Sequence, residues 1–273
     1  MKIKLMVLLI FIICTGIFAQ DVIYVSARGS DENTGLTETA PLKTLSVAFA
    51  RSVQNNISTI TVIGKLDINS EGARPNSSSV FRLSINNPTE ILITGKRNAR
   101  GAERAILSAI GTSYSPISIE SAKIRFEHIE ISGGVGEMGV GLFVLNRAQV
   151  TLGEGAIVRD NNNFGVLVSN EGAVLTIDGG EVRNNRSTGV FLNGSVFFFN
   201  NGTITGNRAG LGAGVIVTGG ARFEMSGGSV TRNSADNVGG VVVTDDSIFI
   251  QTGGTVRNNT ARRNSSTADI WRQ

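Results

Sequence analysis

Cysteine, histidine and proline are nearly missing from this chain. Its 273 residues include one cysteine, Cys14, one histidine, His128, and 4 prolines. Cys14 lies in the N-terminal leader, so the rest of the chain can make neither a disulfide nor a zinc site of cysteine and histidine. Its stability must come from packing and backbone pairing. Few prolines beside 34 glycines point to many tight turns rather than to disorder. Strong charge is also lacking. The formal net charge of +3 falls to +1 without Lys2 and Lys4, which gives no global pull toward nucleic acid or a membrane surface.

Those two lysines open a basic, then apolar leader. Lys2 and Lys4 precede the apolar run 5–13, and Ile17-Phe18-Ala19 places a small residue before Gln20. The pattern predicts a signal peptide over 1–19, export across the inner membrane and a secreted or cell-surface address. The run is shorter than the ~20 residues a spanning helix needs, so no transmembrane segment is expected in the mature chain. Ile13 stands where a lipoprotein signal would carry a small residue, which argues against lipidation of Cys14.

What the chain has in quantity is repetition. "GAIVRDN", "GGEVRNN", "NGTITGN", "GGSVTRN" and "GGTVRNN" align on Val158, Val182, Ile204, Val230 and Val256, in steps of 24, 22, 26 and 26 residues. Between them runs a second motif, "GLFV", "GVLV", "GVFL", "GVIV" and "GVVV", and a third, "QVTL", "VLTI", "VFFF", "RFEM" and "IFIQ". Each unit therefore holds three short β-type runs divided by Gly, Asn and Ser turns. None can bury its apolar side alone, but stacked units bury a continuous core.

The expected fold is all-β, a right-handed parallel β-helix with three-strand coils of about 22–27 residues, equivalent strands lying ~4.8 Å apart. Alternation places Leu175, Phe197, Phe223 and Phe249 in one inward column, and Ile177, Phe199 and Met225 in the next, which Gln251 breaks. Asn161, Asn185, Asn207, Asn233 and Asn259 align at a turn, where stacked side chains can bond along the ladder and tolerate left-handed backbone.

Upstream the period blurs, although "TEILIT", "PISI", "KIRF" and "IEIS" still read as strands. Two to four less regular coils are expected there, with residues 70–79 thrown out as a loop. The block 20–58 reads differently, as a strand, a polar turn and an amphipathic helix over 42–53. It is expected to cap the exposed end of the solenoid. The solenoid then fills 59–273 and is most regular over 129–264.

Tyr24-Val25-Ser26, Gly29-Ser30-Asp31 and Pro41-Leu42-Lys43-Thr44-Leu45 resemble the leader of secreted bacterial proteins with a pectate-lyase-like β-helix. "GGTVRNNTA" and "GGVVV" are similar to repeat-rich β-helix surface proteins of spirochaetes. Gly239-Gly240-Val241-Val242 and Phe197-Phe198-Phe199-Asn200 are loosely similar to the passenger repeats of chlamydial polymorphic outer-membrane proteins. The resemblance implies a fold and a surface address, and it carries no catalytic residue onto this chain. Polygalacturonases of this fold use clustered aspartates with Gly-His-Gly, and His128 in "FEHIEIS" offers no such motif.

Candidate chemistry is sparse. A lyase needs acidic Ca²⁺ ligands near a proton-removing base, and the local candidates are Asp160 beside Arg159 and the pair Asp245-Asp246. Ca²⁺ enters only on that alternative, and no other cofactor or metal is expected. "GVGEMG", 134–139, fits a dinucleotide fingerprint but opens no helix, so it reads as a turn. The arginines are more suggestive. Arg159, Arg183 and Arg257 share one column, Arg186 and Arg208 follow the asparagine ladder, and Arg232 lies on the same corner. Guanidinium groups suit carboxylates and sulfates. The expected function is adhesion, glycan or matrix binding, or a structural role, with acidic polysaccharide or a host or cell-surface glycan as partner. The alternative is a polysaccharide lyase.

Overall fold

The computed structural model describes residues 22–68, 79–84, 89–96, 105–109, 115–135, 139–263 and 268–273. The predicted signal peptide, nearly all of the 70–79 loop and the middle of the 134–139 turn lie outside the described residues.

The chain winds into an all-β, right-handed parallel solenoid of about six turns. Every strand pairing among the described residues is parallel. A first band of rungs begins with Val22–Ser26, Thr59–Ile63, Ile91–Gly95, Lys123–Glu127 and Gln149–Leu152. A second begins with Lys65–Asp67, Ala105–Ser108, Ile129–Ser132 and Ile157–Arg159. The two bands merge where Val174–Arg183 and Val196–Thr205 run through both as ten-residue strands. Their register shifts between Ile177 and Glu181, at the Asp178-Gly179-Gly180 kink. The two expected strands are one bent strand in these coils. A third band forms an eight-stranded sheet from Ser79–Ser84 to Ile270–Arg272.

The inward columns follow from alternation. Leu175, Phe197, Phe223 and Phe249 are register partners. The Phe197–Phe223 and Phe223–Phe249 rings stack at 4.6 Å, and all four residues are buried. Ile177, Phe199 and Met225 fill the next column, and Gln251 at its end is exposed.

The N-terminal block closes the other end. The helix spans Leu45–Gln54, three residues later at its start than its periodicity suggests, because Thr44 caps it and Val47 N–H donates to the Thr44 hydroxyl at 3.4 Å. The Gly-Ser-Asp turn explains itself here. Asp31 accepts from the backbone N–H groups of Lys43 and Thr44 at 3.0 Å each and from the Thr44 hydroxyl at 2.9 Å. One carboxylate thus serves unpaired donors at the helix start. Leu45, Ala48 and Phe49 then bury against the core, while Val22–Ser26 pairs with Thr59–Ile63 as the first rung.

Candidate functional site

The asparagine ladder organises one long edge of the solenoid. In each coil the Oδ1 of the next ladder asparagine accepts from both the backbone N–H and the side-chain Nδ2 of the one before. Asn185 to Asn207 (3.0 and 2.9 Å) and Asn207 to Asn233 (3.0 and 3.0 Å) are typical. Each Nδ2 also donates to a backbone carbonyl, as from Asn207 to Val182 at 3.1 Å. Asn161, Asn185, Asn207, Asn233 and Asn259 are all buried, so these bonds satisfy groups that water cannot reach. The ladder ends on Gly134 N–H at one side (3.0 Å to Asn161 Oδ1) and on the Asp269 carboxylate at the other (2.9 Å from Asn259 Nδ2).

The left-handed backbone falls one residue before the expected place. It is at Asp160, Asn184, Gly206, Arg232 and Asn258, not at the ladder asparagines, whose side chains are needed inward. The ladder also fixes the glycine of the "GVLV" motif. A Cβ on Gly165 would come 2.6 Å from Asn185 Nδ2 and 2.7 Å from the Gly189 carbonyl.

Beside the ladder runs the outward face of the second band. One column reads Lys65, Ile106, Glu130, Ile157, Glu181, Thr203, Ser229, Thr255. The other reads Asp67, Ser108, Ser132, Arg159, Arg183, Thr205, Thr231, Arg257. Over the first coils this face sinks into a cleft of about 580 Å³ lined by Lys65, Ile106, Ser108, Glu130, Ser132, Arg159, Asp160 and Arg186, among others. A smaller hollow, lined by Asn184, Asn185, Arg186, Gly206 and Arg208, continues it. Asn184 and Arg186 belong to both, so the two form one groove along the axis.

The arginines divide into two kinds. Arg159 donates to Glu130 at 2.8 Å and also pairs with Asp160. Its pKa is raised further, chiefly by the hydrogen bond it donates to Glu130, against the opposing effect of burial and with help from the charges of Glu130 and Asp160. Arg183 lies 3.1 Å from Glu181 without hydrogen-bond alignment. Arg186, Arg208, Arg232 and Arg257 are exposed, and among the described residues no carboxylate lies within ion-pair range of them or of Lys65. The column Arg159, Arg183, Arg257 is present, interrupted by Thr205 and Thr231.

Two groups at the groove floor have spare bonding capacity. The hydroxyl of Ser108 and the Nε of Arg159 are buried and find no partner among the described residues. Glu130 itself is only 5% exposed. Lys65, Ser108, Glu130 and Ser132 did not emerge from the sequence, because they sit in the upstream coils where the repeat is blurred. Aligning "KLD", "AILS" and "IEIS" with "IVR" is the signal that finds them.

The other candidates are dispersed. His128 stands at the corner between Lys123–Glu127 and Ile129–Ser132 with φ 49°. Asp245 and Asp246 share a turn, where the Thr218 hydroxyl donates to Asp245 at 2.5 Å. Among the described residues no group of three or more His, Cys, Asp or Glu side chains could hold a metal ion, and no helix is long and apolar enough to cross a membrane.

With this geometry in place, known proteins give a context for the fold. A family model described as "Right handed beta helix region" matches residues 140–269. Among solved structures, the chain is similar to the crystal structure of pectate lyase Pel9A, with a TM-score of 0.53 and 13% sequence identity over 86% of this chain and 78% of that one. At that identity the likeness concerns the fold, which is of the pectate-lyase-like parallel β-helix class. No curated protein matches the chain.

Proposed function

We propose that this protein is an exported, non-enzymatic binder of acidic polysaccharide or cell-surface glycan, and that the groove beside the asparagine ladder is its binding surface. The observation that carries this reading is the run of unpaired cations along one continuous groove: Lys65, then Arg186, then Arg208. A nearly neutral protein gains nothing from leaving these charges unbalanced along one edge, whereas a polyanion laid along the axis would meet them in turn. Arg159 and Arg183 are tied to carboxylates, so they shape the groove rather than supply its free charge.

The test is retention on immobilised acidic and neutral polysaccharides. The parent is expected to be held on the acidic matrix at low salt and released as salt rises, since exposed contacts are screened. Changing Lys65, Arg186 and Arg208 together to Gln should abolish retention, because each exposed contact is weak alone. Equal retention of parent and variant, or indifference to salt, would overturn the reading.

A lyase remains the second reading, favoured by the meeting of Lys65 with Glu130 and Asp160 in one cleft. Elimination needs a group able to take a proton. Arg159 is held charged by its two carboxylates, so in that reading the proton would go to Lys65, Glu130 or Asp160. The same incubations, followed by ultraviolet absorbance for unsaturated uronate, decide between binding and cleavage.

A further inference from the structure

The sequence of charges along the groove is not uniform. From Lys65 the outward column passes over Ile106 to Glu130, and Arg186 follows in the coil of Glu181. At ~4.8 Å per coil, the free cations Lys65 and Arg186 stand roughly 19 Å apart along the axis. The centre between them is acidic. Glu130 and Asp160 share a single guanidinium, that of Arg159, so the three carry one net negative charge. The same centre holds the unpartnered Ser108 hydroxyl, the Ser132 hydroxyl and the aliphatic side chain of Ile106.

A carboxylate or sulfate laid over this centre meets like charge in a partly desolvated cleft. A neutral ring meets the exposed Asp160 carboxylate, which can accept from its hydroxyl or amide groups, and the aliphatic Ile106 side chain for its face. We propose that the groove selects an interrupted polyanion, a glycan in which neutral sugars separate the acidic ones, over a polymer acidic at every ring. The neutral part lies over Ile106, Glu130 and Asp160, and the acidic parts meet Lys65 on one side and Arg186 and Arg208 on the other. This inference rests on the reading of the groove as a polyanion site and specifies which polyanions it accepts.

The experiment compares deacylated gellan oligosaccharides, in which three neutral rings separate successive uronates, with oligogalacturonates, acidic at every ring, at matched carboxylate concentration by calorimetry. Four ring steps match the four coils between Lys65 and Arg186. The parent is expected to bind the gellan oligosaccharide about tenfold more tightly, because like-charge contacts penalise the wrong partner. Asp160→Asn, at an exposed left-handed corner that asparagine tolerates, and Glu130→Gln should each narrow that preference by strengthening oligogalacturonate binding, and the double variant should remove it. Melting curves verify that each variant is folded, and Asp160→Asn carries the test if Glu130→Gln does not fold. Oligogalacturonate bound as tightly as the gellan oligosaccharide by the parent would overturn the selectivity and leave the polyanion reading standing. So would a gellan preference that Asp160→Asn and Glu130→Gln leave unchanged. Binding of neither polymer would overturn both.

Discussion

Replacing Asn207 by alanine isolates the contribution of the ladder. Asn207 is wholly buried, and its side chain makes four bonds: Oδ1 accepts from the N–H and the Nδ2 of Asn185, and Nδ2 donates to the Val182 carbonyl and to Asn233 Oδ1. Its own backbone N–H keeps its bond to Asn233 Oδ1 after truncation. What is stranded is the Asn185 N–H and one hydrogen of Asn185 Nδ2, and the Val182 carbonyl loses a donor. Each buried group left without a partner costs about 1–3 kcal/mol, and partial access of water to the vacated space lowers the sum, so a loss of about 3–5 kcal/mol is expected. For a chain of this size that corresponds to a fall of roughly 10 °C in melting temperature. Thermal unfolding by circular dichroism measures it, and hydrogen exchange at the Asn185 amide reports the site directly. Asn201→Ala is the control. Asn201 is exposed and accepts only from its neighbour Gly202, so its loss should stay within about 0.5 kcal/mol. A melting curve for Asn207→Ala within about 1 kcal/mol of the parent would refute the reasoning and show that water replaces the ladder without cost.

Phe223 is stacked between Phe197 and Phe249, and Phe223→Ala should destabilise by roughly 3–5 kcal/mol, read by chemical denaturation; an unchanged midpoint would contradict the stacked core. Removal of residues 22–54 takes away the first rung and the helix that covers Ile23, Ile60 and the core end, so the truncated protein should aggregate through its free strand edge; a monomer in light scattering would deny the helix its capping role.

The coils from Gly141 onward were legible because their lengths stay within 22–26 residues and parallel stacking keeps the inward alternation the same in each. Upstream, Leu66 and Leu107 are stacked partners although they stand 41 positions apart, and a fixed period cannot be seen across such an interval. The groove was half legible for the same reason. Arg186 and Arg208 belong to regular coils and announce themselves by position. Glu130 precedes those coils and sits between Ile129 and Ile131, where an outward carboxylate reads as solvent-facing, yet Arg159 from the next coil covers it. The left-handed corner was placed one residue late because asparagine favours both a left-handed backbone and a stacked ladder, and composition alone does not say which demand it serves.

The ladder also has a direction. In every ladder bond the N–H comes from the N-terminal coil and the accepting oxygen from the C-terminal one, from Gly134 through five asparagines to Asp269. Aligned amide dipoles reinforce one another in a buried setting, so this row of side chains acts as a helix backbone does, with a partial positive pole where its last donors emerge. Asp269 places its carboxylate at that pole and accepts from both donors of Asn259. The C-terminal strand Ile270–Arg272 follows directly and docks on Val241–Val243. The charge that terminates the dipole is therefore also the pin that fastens the final strand, and the solenoid's polarity determines which of its ends an anion can close.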